Sequence, residues 1–109
     1  MNILITSAGR RVYLVEYFKA VLGRSGSVVA ADTQITAPAL KRGDDYCILP
    51  EAYEKDYIEE LLRFCKLKKV DAIISVNDLE LPILANHKKL IESAGIKLLV
   101  SDKLSLIHI

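Results

Sequence analysis

Short apolar runs alternate with helical patterns along this chain, and this alternation restricts the fold more than any other feature of the sequence. Five runs rich in Ile, Val, Leu and Ala predict β-strands, and they lie at residues 2–6, 27–32, 46–49, 71–76 and 96–100. Most of them lack the in-out alternation of a half-exposed sheet, as is typical of parallel strands that helices cover on both faces. The sequence therefore predicts an α/β protein with a parallel sheet.

Amphipathic helices are predicted between the strands. Three stripes of apolar residues occur at helical spacing. The second lies within 54–67, and the third predicts one continuous helix as far as Gly95. The third stripe includes His87, for which we expect a structural role. The stretch 36–42 has room for only two turns, with Thr36 as its N-cap. The first stripe follows the first strand and consists of Leu14, Val15, Phe18, Val21 and Leu22.

The order of strands and helices predicts the topology. Strand, helix and strand repeat four times, and right-handed crossovers then favour a doubly wound, Rossmann-like five-stranded sheet with strand order 3-2-1-4-5. We interpret residues 1–103 as a single domain. Residues 104–109 form an apolar tail that is either the beginning of a truncated helix or a non-native ending.

Composition excludes several classes of partner. With 109 residues, 51% of them hydrophobic, the chain can bury one continuous core. The formal charge of +1 provides no field for nucleic acid or anionic lipid, so neither is expected as a partner. No apolar stretch approaches the roughly 20 residues of a membrane span, and no signal peptide is recognisable. The sequence predicts a soluble, cytoplasmic protein.

The cysteines also favour a cytoplasmic location. Cys47 and Cys65 lie among apolar neighbours without CxxC spacing. This arrangement is typical of buried free thiols in a reducing compartment, and it favours neither a disulfide nor a metal site.

A ligand site is expected at one edge of the predicted sheet. Doubly wound sheets bind ligands beyond the carboxyl ends of their strands, at the crevice where the winding direction switches, here between the first and fourth strands. Polar or loop residues that follow the first, second and fourth strands reach this edge. These candidates for substrate binding are Gly9, Arg10, Arg11, Asp32, Asn77, Asp78 and Glu80.

The arginine pair after the first strand predicts a negative group nearby. Arg10 and Arg11 lie at the N-terminal end of the first helix, where the macrodipole disfavours cations. A phosphate, a carboxylate ligand, Asp32 or Asp78 could supply the negative charge, and the arginine fork suits bidentate contact with either oxyanion. The alternative is a pair of solvated arginines.

Asp32 occupies the position of a ribose-binding acid. It lies 23 positions after Gly9, as such an acid does in a dinucleotide-binding unit. Gly9 is, however, the only glycine of its loop, whereas the dinucleotide fingerprint needs three. The alternative for Asp32 is a carboxylate that caps a loop or pairs with an arginine.

Two acids and an amide follow the fourth strand. Asn77, Asp78 and Glu80 could hold an amine, a metal-bound phosphate or the arginine pair. The alternative is helix capping and acidity in the first turn of the next helix. No residue is predicted to be catalytic or to bind a metal.

The residues also carry a family resemblance. Residues 2–11, followed by 14–18, resemble the opening of carbamoyl-phosphate synthase-like ATP-grasp proteins. Residues 31–40, 46–65 and 78–85 contain further matches in the same order. The resemblance covers residues 1 to about 103, and it identifies the chain as similar to a pre-ATP-grasp domain.

The resemblance implies a ligase. Such enzymes phosphorylate a carboxylate with ATP and pass the acyl phosphate to an amine, assisted by magnesium. The N-terminal domain forms one wall of the cleft, which Gly9, Arg10, Asp32, Asp78 and Glu80 would line here. ATP and magnesium are expected to bind the later domains of a full-length parent and not to bind tightly to this chain.

Relatives continue into an ATP-grasp fold where this chain ends in residues 104–109. We therefore expect no catalysis by this chain alone. Its expected partners are the C-terminal ATP-grasp domains and a small-molecule substrate, either a carboxylate or an amine, and the oligomeric state is open, a homodimer included. The alternative function is a free-standing nucleotide- or metabolite-binding module without catalysis.

Overall fold

The apolar runs of the sequence form one five-stranded sheet in the computed structural model, which describes residues 1–9, 11–75, 77 and 79–100. Its spatial order is β3-β2-β1-β4-β5, and all neighbouring strands are parallel. The predicted doubly wound topology is confirmed. The strands are β1 (Asn2–Ile5), β2 (Ser27–Asp32), β3 (Asp45–Ile48), β4 (Ala72–Ser75) and β5 (Lys97–Val100).

Helices fill the connections on both sides of the sheet. They are α1 (Val12–Leu22), α2 (Tyr57–Leu67), α3 (Leu81–Asn86) and α4 (Lys88–Ser93). The longest of them have 11 residues. Among the described residues, no helix has the length and apolar character needed to cross a bilayer. The predicted tail lies outside the described residues.

The predicted two-turn helix at 36–42 is wrong. The structure has a single 3₁₀ turn, Pro38–Lys41, whose N-cap is Ala37 and not Thr36. Ala37 has extended backbone angles, φ −61° and ψ 127°, because a residue that precedes proline is pushed out of the helical region. The helical turn therefore cannot begin before the proline.

The third predicted helix is interrupted at His87, which separates α3 from α4. In a continuous helix the backbone N–H of His87 would donate to the carbonyl of Ile83. The ring atom Nδ1 of His87 takes that carbonyl instead, at 2.9 Å, and the backbone N–H donates to the carbonyl of Leu84 at 3.1 Å. The expected structural role of His87 is confirmed, but the prediction of one continuous helix is wrong.

Alternating strand residues build two cores, one on each face of the sheet. In β1, Leu4 points to the face covered by α2, α3 and α4, whereas Ile3 and Ile5 point to the face covered by α1. On the α1 side the predicted stripe is correct except for Val21, which is 61% exposed. The helix residues that complete the cores include Leu61, Leu84 and Ile91 on one side and Leu14 and Val15 on the other.

Both cysteines are buried free thiols, as predicted. Cys47 lies in β3 and Cys65 in α2. Burial raises the pKa of Cys47 to about 11 and the pKa of Cys65 to about 12, because the thiolate would lose its hydration.

The core predicts a strong contrast between two leucines of α2. Leu61 is fully buried and Leu67 is 64% exposed. Leu61→Ala should lower the free energy of unfolding by about 2–5 kcal/mol, because it leaves a cavity in the core. Leu67→Ala, the matched control, should change it by no more than about 0.5 kcal/mol. Urea denaturation measures both, and equal losses would contradict the described burial of α2.

The thiols predict a loss of stability at high pH. In the unfolded chain the thiol pKa is 9.0, so above that pH the folded state binds more protons than the unfolded state. The thiol contribution is therefore complete below pH 9.0 and is lost as the pH rises towards about 11. The urea midpoint should fall less steeply over this window in a Cys47→Ala/Cys65→Ala double variant. Parallel curves would contradict the assignment.

Candidate functional site

A cavity of about 200 Å³ opens at the carboxyl edge of the sheet. It lies where the winding direction changes between β1 and β4, which is where doubly wound sheets bind their ligands. Four strands contribute to it through the loops that follow them. The cavity is lined by Ser7, Asp32, Thr33, Leu49, Pro50, Glu51, Ala52, Tyr53, Tyr57, Asn77, Leu79, Glu80 and Ile83.

The loop after β1 is attached to both neighbouring strands. The backbone N–H of Thr6 donates to the carbonyl of Ile74 at 3.0 Å, and that of Ala8 donates to the carbonyl of Ala31 at 2.8 Å. Between these two anchors, Ser7 has φ 47°, a left-handed conformation that is uncommon for a residue other than glycine. The two strand contacts thus fix the position from which Ser7 lines the cavity.

Glu80 is the centre of the polar network at this edge, and it is only 4% exposed. Its Oε1 accepts hydrogen bonds from the hydroxyls of Thr6 at 2.7 Å and Ser75 at 2.8 Å. Its Oε2 accepts from the hydroxyls of Ser7 and of Tyr57, the latter at 3.1 Å. A carboxylate offers about four acceptor positions, so these four hydroxyls use all of them.

Tyr57 is a neutral donor in this network. Burial raises its pKa far above the ordinary value of 10.0, and the negative charge of Glu80 raises it further. The phenol therefore stays protonated and donates a hydrogen bond to Glu80. Because Tyr57 is also the first residue of α2, the network connects this helix to the ends of β1 and β4.

Asp32 differs from Glu80 in its surroundings. Its backbone carbonyl accepts a hydrogen bond from Leu49 N–H at 2.9 Å, which attaches the end of β2 to the loop after β3. Its carboxylate is half-buried at the cavity and accepts no hydrogen bond from any residue that the structure describes. This carboxylate can therefore accept hydrogen bonds from a ligand.

Asn77 lines the cavity and also holds a turn, whereas the sequence left ligand binding and helix capping as alternatives. Its side chain lines the cavity, and its Oδ1 also accepts the backbone N–H of Leu79 at 2.9 Å. Its own carbonyl accepts the backbone N–H groups of Glu80 and Leu81. Asn77 thus holds the turn that leads from β4 into α3.

The structure brings several of the predicted site residues together. Asp32, Asn77 and Glu80 line the same cavity. Gly9 lies beside Asp32, since a Cβ at this position would be 3.7 Å from Oδ2 of Asp32. Arg11 is turned elsewhere: its Nη1 donates to the carbonyl of Ser7 at 3.3 Å, and it is not among the lining residues.

Two predicted residues, Arg10 and Asp78, lie outside the described residues.

The sequence did not point to the hydroxyl donors of the network. Thr6 and Ser75 stand at the ends of predicted strands on the ligand edge, a position that could have drawn attention to them. Tyr57 carried no such signal, because only the packing of α2 brings its hydroxyl to Glu80.

Fold and cavity together define the class: a doubly wound α/β domain with a ligand-sized cavity at its switch point. Residues 3–99 match the family described as PylC-like, N-terminal domain, and the chain belongs to this family. The predicted relation to N-terminal domains of ATP-grasp ligases is thereby confirmed. No curated protein sequence matches the chain significantly.

Solved structures share the fold. One is glycinamide-RNase-transformylase T from Mycobacterium tuberculosis, with a TM-score of 0.65 and 19% identity, over 90% of this chain and 28% of that one. Another is a partial consensus L-threonine 3-dehydrogenase, with a TM-score of 0.66 and 16% identity, over 90% and 35%. A third is Rhizobium etli pyruvate carboxylase, with a TM-score of 0.61 and 21% identity, over 89% and 9%. The chain thus spans about a third or less of each, and at these identities the likeness concerns the fold alone.

The network predicts a specific cost for Glu80→Gln. The amide has one acceptor oxygen and an NH₂ group that faces hydroxyls now acting as donors, so buried hydrogen bonds are lost. The free energy of unfolding should fall by about 1–3 kcal/mol. Glu92→Gln, the same change at an exposed site in α4, is the control. Equal urea midpoints for the two variants would contradict the described network.

Proposed function

We propose that this chain is the substrate-side N-terminal domain of an ATP-dependent carboxylate–amine ligase, similar to the carbamoyl-phosphate synthase large subunit. The membership in the PylC-like family supports the relation to ATP-grasp ligases. The resemblance of residues 2–11 and of the later segments supports the narrower similarity.

The cavity at the switch point is the observation that carries this proposal. Apolar side chains line it together with Asp32, Asn77 and Glu80, which is the usual composition of a small-molecule site. In the proposed enzyme this surface forms one wall of the active-site cleft. The sequence predicts that the substrate-binding residues of this wall are Gly9, Arg10, Arg11, Asp32, Asn77, Asp78 and Glu80. Of these, Glu80 would act through its field, and Arg11 lies outside the cavity lining.

We expect ATP and magnesium to bind outside the described part of this site. Glu80 has no acceptor position left for a metal, since four hydroxyls already bind it. The loop after β1 contains a single glycine, Gly9, where a phosphate-binding loop needs several for close backbone approach. We therefore assign the nucleotide and magnesium to further domains of a longer parent, and we expect no turnover by this chain alone.

A second candidate is a free-standing module that binds a metabolite without catalysis. The cavity supports it, because described residues of this one chain line it after four different strands. The two candidates differ in what the isolated chain binds and in what a longer parent can do.

The proposal predicts different behaviour for the chain and for its parent. Calorimetry with Mg-ADP should give no binding heat for the isolated chain. A protein expressed from the reading frame that continues past Ile109 should release phosphate from ATP only when both a carboxylate and an amine are present. Reactions that lack one of the two substrates are the control. Tight binding of ADP to the chain, or a parent without ATP-dependent ligation, would contradict the proposal.

A further inference from the structure

We infer that the cavity receives the cationic end of the amine substrate, and that Asp32 is the partner of its ammonium group. This inference rests on the function proposed above, because it states which of the two substrates of the ligase this domain binds. It follows from the charge of the cavity, from the surroundings of Asp32 and Glu80, and from the apolar side chains that line the cavity.

The described residues that line the cavity carry charge of one sign only. Three carboxylates, those of Asp32, Glu51 and Glu80, are among the described residues that line it, and none of these residues is Lys, Arg or His. A cleft lined by one sign of charge with low-dielectric walls concentrates the field and raises the local concentration of the opposite ion. A carboxylate or phosphate substrate would be repelled here, whereas an ammonium group is attracted.

The burial of Glu80 strengthens this argument. Its four hydroxyl donors satisfy the carboxylate oxygens but carry no charge, and no described cation lies within ion-pair distance of it. A buried charge without a counter-ion is unfavourable, and a cation in the adjoining cavity relieves it. Glu80 itself is shielded by its donors. It is therefore a positioning residue that holds Ser7 and contributes its field.

Asp32 is the carboxylate that can make the direct contact. It lines the cavity, it is half-buried, and none of the described residues donates a hydrogen bond to it. An ammonium group has three donors and gains most from a charged acceptor with free lone pairs. Thr33, the next residue, lines the same cavity and offers a neutral hydroxyl. Asp32 is thus a half-buried charged acceptor with a neutral acceptor beside it, whereas Glu51, which also lines the cavity, is exposed to solvent.

The walls indicate what carries the ammonium group. Leu49 and Ala52 from the β3–α2 connection face the cavity together with Ile83 of α3 and Leu79 before it. These side chains offer apolar surface to methylene groups, while the charged end remains near Asp32. The chemical class that fits is a primary amine on an aliphatic stem.

Arg11 of the β1–α1 loop does not reverse this conclusion. Arg11 donates to the carbonyl of Ser7, so its guanidinium already has an acceptor, and it does not line the cavity. Binding of a carboxylate, which the arginine pair favoured at the level of sequence, is the competing outcome of the test.

Three small probes of similar shape and different charge test the inference: n-butylamine, n-butanol and butyrate. Each is titrated at neutral pH into the isotope-labelled chain and followed by amide chemical shifts in two-dimensional NMR. We expect n-butylamine to shift the amides of Ser7, Thr33 and Asn77 in a saturable manner. The neutral and anionic probes should cause much smaller changes. Equal shifts with all three probes, shifts with butyrate alone, or no saturable shift with n-butylamine would overturn the inference.

A matched pair of variants locates the contact. Asp32→Asn keeps the size of the side chain and, because its carboxylate accepts no described hydrogen bond, should leave the fold intact. It should weaken binding of n-butylamine about tenfold or more, since a charged hydrogen bond is replaced by a neutral one. Glu92→Gln removes the same charge from α4, away from the cavity, and should leave the affinity unchanged. Equal affinities of the two variants would exclude Asp32 as the partner.

The outcomes separate this inference from the proposed function. A longer parent that ligates a carboxylate to an amine, together with a chain that prefers butyrate, would overturn the inference and leave the ligase assignment in place. A chain that prefers n-butylamine, together with a parent that shows no ATP-dependent ligation, would retain the cation site and overturn the ligase assignment.

Discussion

A buried carboxylate governs the functional edge of this domain. Glu80 is nearly inaccessible to solvent, and four hydroxyls from the ends of β1 and β4 and from the start of α2 donate to it. Burial of such a group is unfavourable unless its hydrogen bonds are complete. The arrangement of the loops follows from this requirement. Ser7 stays in its left-handed conformation, and Tyr57 turns its phenol inward, because both are needed as donors.

The same requirement separates two acids that look alike in the sequence. Asp32 is the last residue of β2, Glu80 follows β4, and both line the cavity at the carboxyl edge of the sheet. Glu80 is saturated by hydroxyls, so its contribution is a fixed negative field. Asp32 keeps its acceptor positions among the described residues, so it can meet a ligand directly. Burial and four hydroxyl donors thus occupy one carboxylate and leave the other with free acceptor positions among the described residues.

The sequence predicted the architecture because the apolar pattern is strong and right-handed crossovers leave few topologies. It predicted the edge of the sheet that carries the cavity for the same reason. It did not predict the partners of Glu80, because side-chain hydrogen bonds between distant segments leave no periodic signal, as Tyr57 illustrates. The sequence did not predict the break at His87, because the apolar stripe continues through it and the contact between the ring and the Ile83 carbonyl leaves no periodic signal. The predicted helix at 36–42 is limited to a short turn because Pro38 restricts Ala37 to extended backbone angles.

The span of the hydrogen bonds to Glu80 affects how the domain folds. Thr6 and Glu80 are 74 positions apart, and Tyr57 lies 23 positions before Glu80. Contacts of such long range require closure of large loops, and the associated entropy is lost before the contacts form. The set of hydrogen bonds to Glu80 can therefore be completed only when β4 has docked beside β1. A nascent chain that has only its first strands contains Thr6 and Ser7 but lacks Glu80, so two of the hydroxyl donors wait for an acceptor that is synthesised much later.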